Sequence, residues 1–203
     1  MKRILPASFL ILIGLTLIAF ATYPFLIWQF YFLPKIKSDS TLSPIVSEVY
    51  ENPKVRENLP GNMAGFSEFF VSIPSLRIEE AKVKVETSDF LSSLAHYPGS
   101  ALPGEEGNVF ITGHSILPQF FSPRSYLSIF STLYTLNRGD QVSVSLPDSS
   151  KFDYVVIGMA VVGPDDTWVL KTPDRQGRYL SLLTCTPPGF KTERLVVLAK
   201  QVS

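Results

Sequence analysis

The sequence holds a single cysteine, Cys185, and two histidines, His96 and His114. One thiol excludes an internal disulfide. One cysteine and two widely separated histidines lack zinc-ligand spacing, so no metal is expected. Asp165 and Asp166 are adjacent carboxylates in a Gly-Pro loop, and such pairs are more often solvated than bound to a cation. An excess of charge is missing too: Lys+Arg and Asp+Glu both number 18. The basic stripe of a nucleic-acid binder is therefore not expected. The chain has no P-loop and no glycine-rich dinucleotide turn, so no nucleotide cofactor is expected. Internal repeats and low-complexity tracts are also missing.

A long uncharged run is present. Lys2 and Arg3 precede residues 4–34, which carry no charge. About 20 apolar residues cross a bilayer core. Trp28, Tyr31 and Phe32 near the far end suit a membrane interface. Ala19-Phe20-Ala21 has the small residues of a signal-peptidase site, yet the apolar run continues about a dozen residues beyond it. Residues 1–34 are therefore read as an uncleaved, single-pass transmembrane anchor. Lys2 and Arg3 favour an inside amino terminus, which puts the bulk of the chain outside the cytoplasm. Residues 35–70 are mixed and polar, with Pro44, Pro53, Pro60 and Gly61. They read as an extracytoplasmic linker, with a short helix expected over 43–57.

Residues 71–203 form the folded domain. Strand candidates cover 71–78, 81–86, 108–112, 141–146, 151–162, 179–185 and 195–199. Alternation is clear at 81–86 and 141–146, and Pro74 marks an irregular or edge strand. A mainly-β fold of seven to eight strands closed into a barrel is expected, with short helices. Thr87 or Ser88 is expected to cap a helix over 88–95. Residues 125–136 fit either a helix or a packed loop.

The stretch around Cys185 organises the rest. A strand leads into it, Pro187-Pro188-Gly189 turns the chain, and Arg194 opens a second strand, so the segment reads as a hairpin. If Cys185 faces Arg194 across that hairpin, both side chains leave the same face. A guanidinium beside a thiol favours the nucleophilic thiolate, and it also suits an oxyanion. His114 ends another strand after Gly113, a residue that allows a bend and close approach. It is the candidate acid/base, since thiol catalysis needs an imidazole near in space rather than in sequence. His96 lies in a turn-like segment and reads as structural. The competing reading of a lone cysteine is a small packed hydrophobe.

Thr112-Gly113-His114, Leu183-Thr184-Cys185-Thr186-Pro187 and Arg194-Leu195-Val196-Val197, in that order behind a membrane anchor, resemble the sortase family. The run from His96 to Gly104, followed by Asn108-Val109, is similar to the family's approach to its histidine strand. The resemblance covers about residues 71–200. It implies a sortase-type barrel and a cysteine transpeptidase with Cys185 as nucleophile, His114 as acid/base and Arg194 as the oxyanion or substrate-backbone partner. The implied partners are secreted proteins bearing a C-terminal sorting signal similar to Leu-Pro-x-Thr-Gly. An amine acceptor, either a cell-wall peptide or a protein lysine, completes the set, with the enzyme in the cell membrane. Pro-Pro-Gly after Thr-Cys-Thr resembles classes D and E more than class A. The Asp-Pro-aromatic lid and second membrane segment of class C are not seen in this sequence. Ser115 departs from the Gly-His-Arg often found in classes D and E, and residues 116–136 are unusually apolar for their loop. Two alternatives stand beside this reading: a hydrolytic cysteine endopeptidase on the same scaffold, and a non-catalytic tethered β-domain. An L,D-transpeptidase ranks last, because its Ser-His-Gly-Cys signature is missing.

Overall fold

The computed structural model describes residues 7–39, 65–174 and 177–202. The chain begins as helix α1 (Ala7–Ile27), passes through a π-helical turn (Trp28–Phe32), and continues as α2 (Leu33–Asp39). Eight strands follow: β1 (Glu68–Ile73), β2 (Ile78–Lys84), β3 (Leu94–His96), β4 (Gly107–Thr112), β5 (Gln141–Ser145), β6 (Lys151–Val162), β7 (Arg178–Thr186) and β8 (Glu193–Gln201). They close into one barrel in the order β1-β2-β3-β4-β7-β8-β6-β5. Closure removes the exposed sheet edges that an open sheet would present. The expected mainly-β barrel is the observed fold, with eight strands.

Period-two alternation fills the barrel. Phe69, Val71 and Ile73 of β1, and Val142 and Val144 of β5, are fully buried in its core. Their neighbours in sequence face outward, as a pleated strand requires. Strand β6 is long enough to serve two clusters. Its pairing with β8 slips between Val156 and Gly158, and a bulge of this kind re-aims the side chains after it. Tyr154, Val156 and Met159 point to the main core, while Ala160 and Val162 join a second, smaller cluster on the outer face.

Three elements differ from expectation. The segment 71–78 is two strands, because Pro74 opens a single 3-10 turn (Pro74–Leu76) between them. The helix expected over 88–95 does not form. Asp89 instead accepts from the Leu91 N–H at 3.0 Å, Ser92 Oγ at 2.7 Å and Lys84 Nζ at 3.1 Å. Such side-chain bonds offer the backbone an alternative to a helix, and Leu94–His96 is taken up as β3 between β2 and β4. Residues 125–136 are a packed loop with one 3-10 turn, Leu133–Thr135. Ile129, Phe130 and Leu133 anchor it in the main core.

The helical segment is seated on the barrel. Trp28 and Ile36 are buried at 2% and 3% exposure, within the barrel's own core cluster. Trp28 meets Tyr134 edge-on at 5.2 Å and Phe32 meets the same ring at 4.4 Å. Residues 28, 32 and 36 are four apart and so share one helix face. Residues 35–39, read from the sequence as the start of the linker, are thus helical as part of α2. The rest of that linker between 40 and 64, with the helix expected over 43–57, lies outside the described residues.

Candidate active site

Strands β7 and β8 pair antiparallel, and their register sets Cys185 directly opposite Arg194. Arg194 in turn faces Val162 of β6. On the other side β7 runs parallel to β4, with Thr112 paired to Leu183. Two residues beyond that pair lie His114 on one chain and Cys185 on the other. Faces follow by alternation. Leu180 and Leu182 point into the barrel, whereas Phe110, Leu183 and Val196 belong to the outer cluster. Cys185 shares the face of Leu183 and Arg194 that of Val196, while His114 lies in the loop two residues past the end of β4. Cys185 and Arg194 therefore start from one face at one end of the barrel, with the His114 loop hydrogen-bonded alongside the Cys185 strand. Cys185, His114 and Arg194 are all half-buried, shielded yet within reach of solvent.

Three hydrogen bonds lace the histidine loop to the cysteine strand. The Gly113 N–H donates to Leu183 O at 3.1 Å. Thr184 Oγ1 donates to Gly113 O at 2.9 Å, and Ser115 Oγ donates to Cys185 O at 2.7 Å. His114 is the residue held between them. Its carbonyl accepts from the Phe130 N–H at 3.1 Å, and its ring meets Phe90 edge-on at 5.6 Å. Gly113 is required by space: a Cβ there would lie 2.6 Å from Leu94 Cδ2 and 2.7 Å from Phe130 Cδ2. Leu94 and Phe130 are fully buried, so neither can give way.

The Arg194 guanidinium turns toward its own hairpin loop, where Nη1 donates to the carbonyls of Lys191 at 3.1 Å and Glu193 at 3.0 Å. The loop between β6 and β7 covers the outer cluster. Gly163 N–H donates to Asp166 Oδ2 at 2.6 Å, which closes the first turn. Val169 then buries against Phe110, Val162 and Val196, and Trp168 packs alongside. Asn108 Nδ2 ties this loop down by donating to Val169 O at 3.3 Å. This loop therefore covers an apolar patch of the outer face that Leu183, two residues before Cys185, also joins.

His96 lies away from this group. It is fully buried in β3, and its Nε2 bonds to Ala101 O and Ser100 Oγ, both at 2.9 Å. Burial holds the imidazole below its ordinary 6.5, outweighing the Ala101 bond and the charges of Glu86 and Glu105, which act the other way. Among the described residues, no group of three or more His, Cys, Asp or Glu is placed to hold a metal ion. Sequence reasoning missed Phe90 and the bond made by Ser115. The residue after His114 stood out only as a departure from the usual arginine, and Phe90 gave no signal at all.

A closed eight-stranded barrel carrying its lone thiol opposite an arginine, beside a histidine-ended strand, defines a narrow class of β-barrel protein. The sortase domain family matches residues 71–202. The chain belongs to the sortase family. It is 26% identical over 137 residues to sortase D of Bacillus subtilis (strain 168), a match covering 66% of this chain and 63% of that protein. Sortase C1 from Streptococcus agalactiae superposes with a TM-score of 0.57 at 32% identity, covering 75% of this chain and 73% of that one. A Clostridium perfringens sortase D5 transpeptidase shares the fold at a TM-score of 0.56 and 24% identity, covering 72% and 84%. Helix α1 and its continuation, Ala7–Ile36, are long and apolar enough to cross a membrane.

Proposed function

We propose that the protein is a membrane-anchored cysteine transpeptidase that cuts a C-terminal sorting signal similar to Leu-Pro-x-Thr-Gly and passes the new carboxyl end to an amine. The observation that carries this reading is the double register: Cys185 opposite Arg194 on β8, and level with His114 beyond β4. The Cys185 thiolate attacks the threonine carbonyl carbon, and an S–C bond forms as the carbonyl electrons move to oxygen. Arg194, released from its loop carbonyls, stabilises that oxyanion together with backbone N–H groups. The tetrahedral adduct collapses, the C–N bond breaks, and His114 gives its proton to the departing amine. A thioester on Cys185 remains. An incoming amine, from a cell-wall peptide or a protein lysine, then attacks the thioester while His114 takes its proton. A new amide forms and the thiolate leaves. Water in place of the amine would give the endopeptidase outcome. The outer apolar cluster that holds Val169 and Trp168 reaches Leu183, two residues before Cys185, and on this reading supplies a surface for the signal's apolar side chains.

The test is amine dependence. Full-length protein in lipid nanodiscs is mixed with a panel of Leu-Pro-x-Thr-Gly-like peptides, with and without a glycine or lysine amine. Ligated product that requires the amine supports the transpeptidase. Hydrolysed product at the same rate in both arms overturns it in favour of an endopeptidase.

A further inference from the structure

An apolar cleft of about 690 Å³ lies between the anchor and the loops that carry the candidate site. One wall is helical and includes Phe20, Tyr23 and Phe25; the other includes Leu117, Pro188 and Phe190. Among the described residues, no charged one lines it. Its volume lies within the range of small-molecule sites, and its lining is mostly apolar, with Gln119, Trp28, Tyr23, Tyr31 and Tyr134 as the residues that carry a polar group. Apolar space this large is unfavourable when filled with water.

Position identifies the occupant. About 20 residues of helix cross the hydrocarbon core, and this helix extends to residue 36, so the cleft begins where the chain reaches the outer interface. Phe20 and Tyr23 are 65% and 63% exposed, as is usual along a helix face that lipid covers. The cleft is continuous with that face. We propose that it takes up a phospholipid acyl chain from the outer leaflet. The proposal rests on the membrane-anchored reading of α1. Phe25 meets Phe190 edge-on at 5.9 Å, so the two walls already touch at one rim. A seated chain packs against Pro187 and Pro188, which follow Cys185-Thr186, and against Leu117, three residues after His114. Leu117 in turn lies under Gly189, where a Cβ would be only 3.2 Å from Leu117 Cγ. The lipid thereby supports both loops that carry the candidate site, and the membrane becomes part of its wall.

The experiment is photolabelling of the full chain, as wild type and as Cys185→Ala, in nanodiscs doped with a phospholipid bearing a diazirine along its acyl chain. Adducts are mapped by mass spectrometry. Label on Leu117, Pro188 or Phe190 supports the proposal in either background, because these residues lie outside the span. Leu117→Trp fills the cleft and should lower labelling of Pro188 and Phe190 about tenfold. Thermal melting confirms that this variant is folded, and label on Leu10 and Leu17 of α1 reports insertion. If α1 is labelled and the cleft residues are not, the lipid site is overturned while the anchor stands. If α1 is not labelled, both fail. A cleft labelled only by a photoreactive apolar peptide, and never by phospholipid, also overturns the proposal.

Discussion

At the scale of single residues, the account rests on how few side chains are available for acyl transfer and how the backbone delivers them. Arg194→Lys keeps the charge but loses the planar, forked donor. Acyl-enzyme formation should fall about a hundredfold, the usual loss for an oxyanion donor, measured by quenched-flow mass analysis; an unchanged rate would remove Arg194 from the mechanism. Ser115 is a positioning residue, since its hydroxyl bonds the Cys185 carbonyl rather than any reacting atom. Ser115→Ala should lower kcat about tenfold with KM nearly unchanged, the worth of one hydrogen bond, and Ser115→Thr should recover most of it. A merely structural role would shift the melting temperature without this split. Gly113→Ala should cost about 1–3 kcal/mol of stability by overpacking, read by denaturant melts. His96 titrates in the opposite sense to a paired histidine. Burial lowers its folded pKa below 6.5. As pH falls through that value the unfolded chain gains a proton that the folded chain refuses, so stability drops by up to about 1.4 kcal/mol per pH unit. Denaturant melts from pH 7 to 5 should show that slope, and His96→Gln should flatten it even if its overall stability is lower. Cys185, His114 and Arg194 stood out as candidates in the sequence because their residue types are scarce or sit beside turn signals. Ser115 was not, because its contribution is a bond to a backbone oxygen 70 positions away, which no local pattern encodes.

At the scale of elements, the N-terminal helical segment is part of the folded domain's packing. Trp28 and Ile36 complete the barrel's core, over a patch that includes Leu136, Val156 and Met159. Trp28→Ala should cost about 3 kcal/mol, the range for a buried aromatic cut to alanine. Full-length protein and the variant are compared by thermal melting in the same nanodiscs, and an unchanged midpoint would show that the helix is not seated there. The strands with clear alternation, 81–86 and 141–146, were legible because one face is buried and the other wet. The three-residue β3 was not, since it is too short for any period and exists only through pairing with β2 and β4. The π-helical turn and the docking of 33–39 also escaped, because uniformly apolar residues do not reveal which face meets the barrel.

At the scale of the whole molecule, the adjacent pairing of β4, β7 and β8 sets positions 185 and 194 opposite one another with the 114 loop alongside, and the β6–β7 loop covers the outer apolar cluster. The order of strands around the barrel was not legible, because parallel β4–β7 pairing joins segments separated by two other strands. The hairpin register was legible, because a short turn leaves little freedom. The claim that matters most is that Cys185 carries the acyl group. Full-length protein in nanodiscs, incubated with a cleavable Leu-Pro-x-Thr-Gly-like peptide without an amine and quenched in acid, should gain the mass of the peptide's amino-terminal fragment. That mass should map to Cys185, and hydroxylamine should remove it, as it does a thioester. It should be missing in Cys185→Ala. Cleavage that persists in Cys185→Ala, or a folded protein that forms no adduct with any peptide while its thiol stays inert to alkylation, would contradict the account.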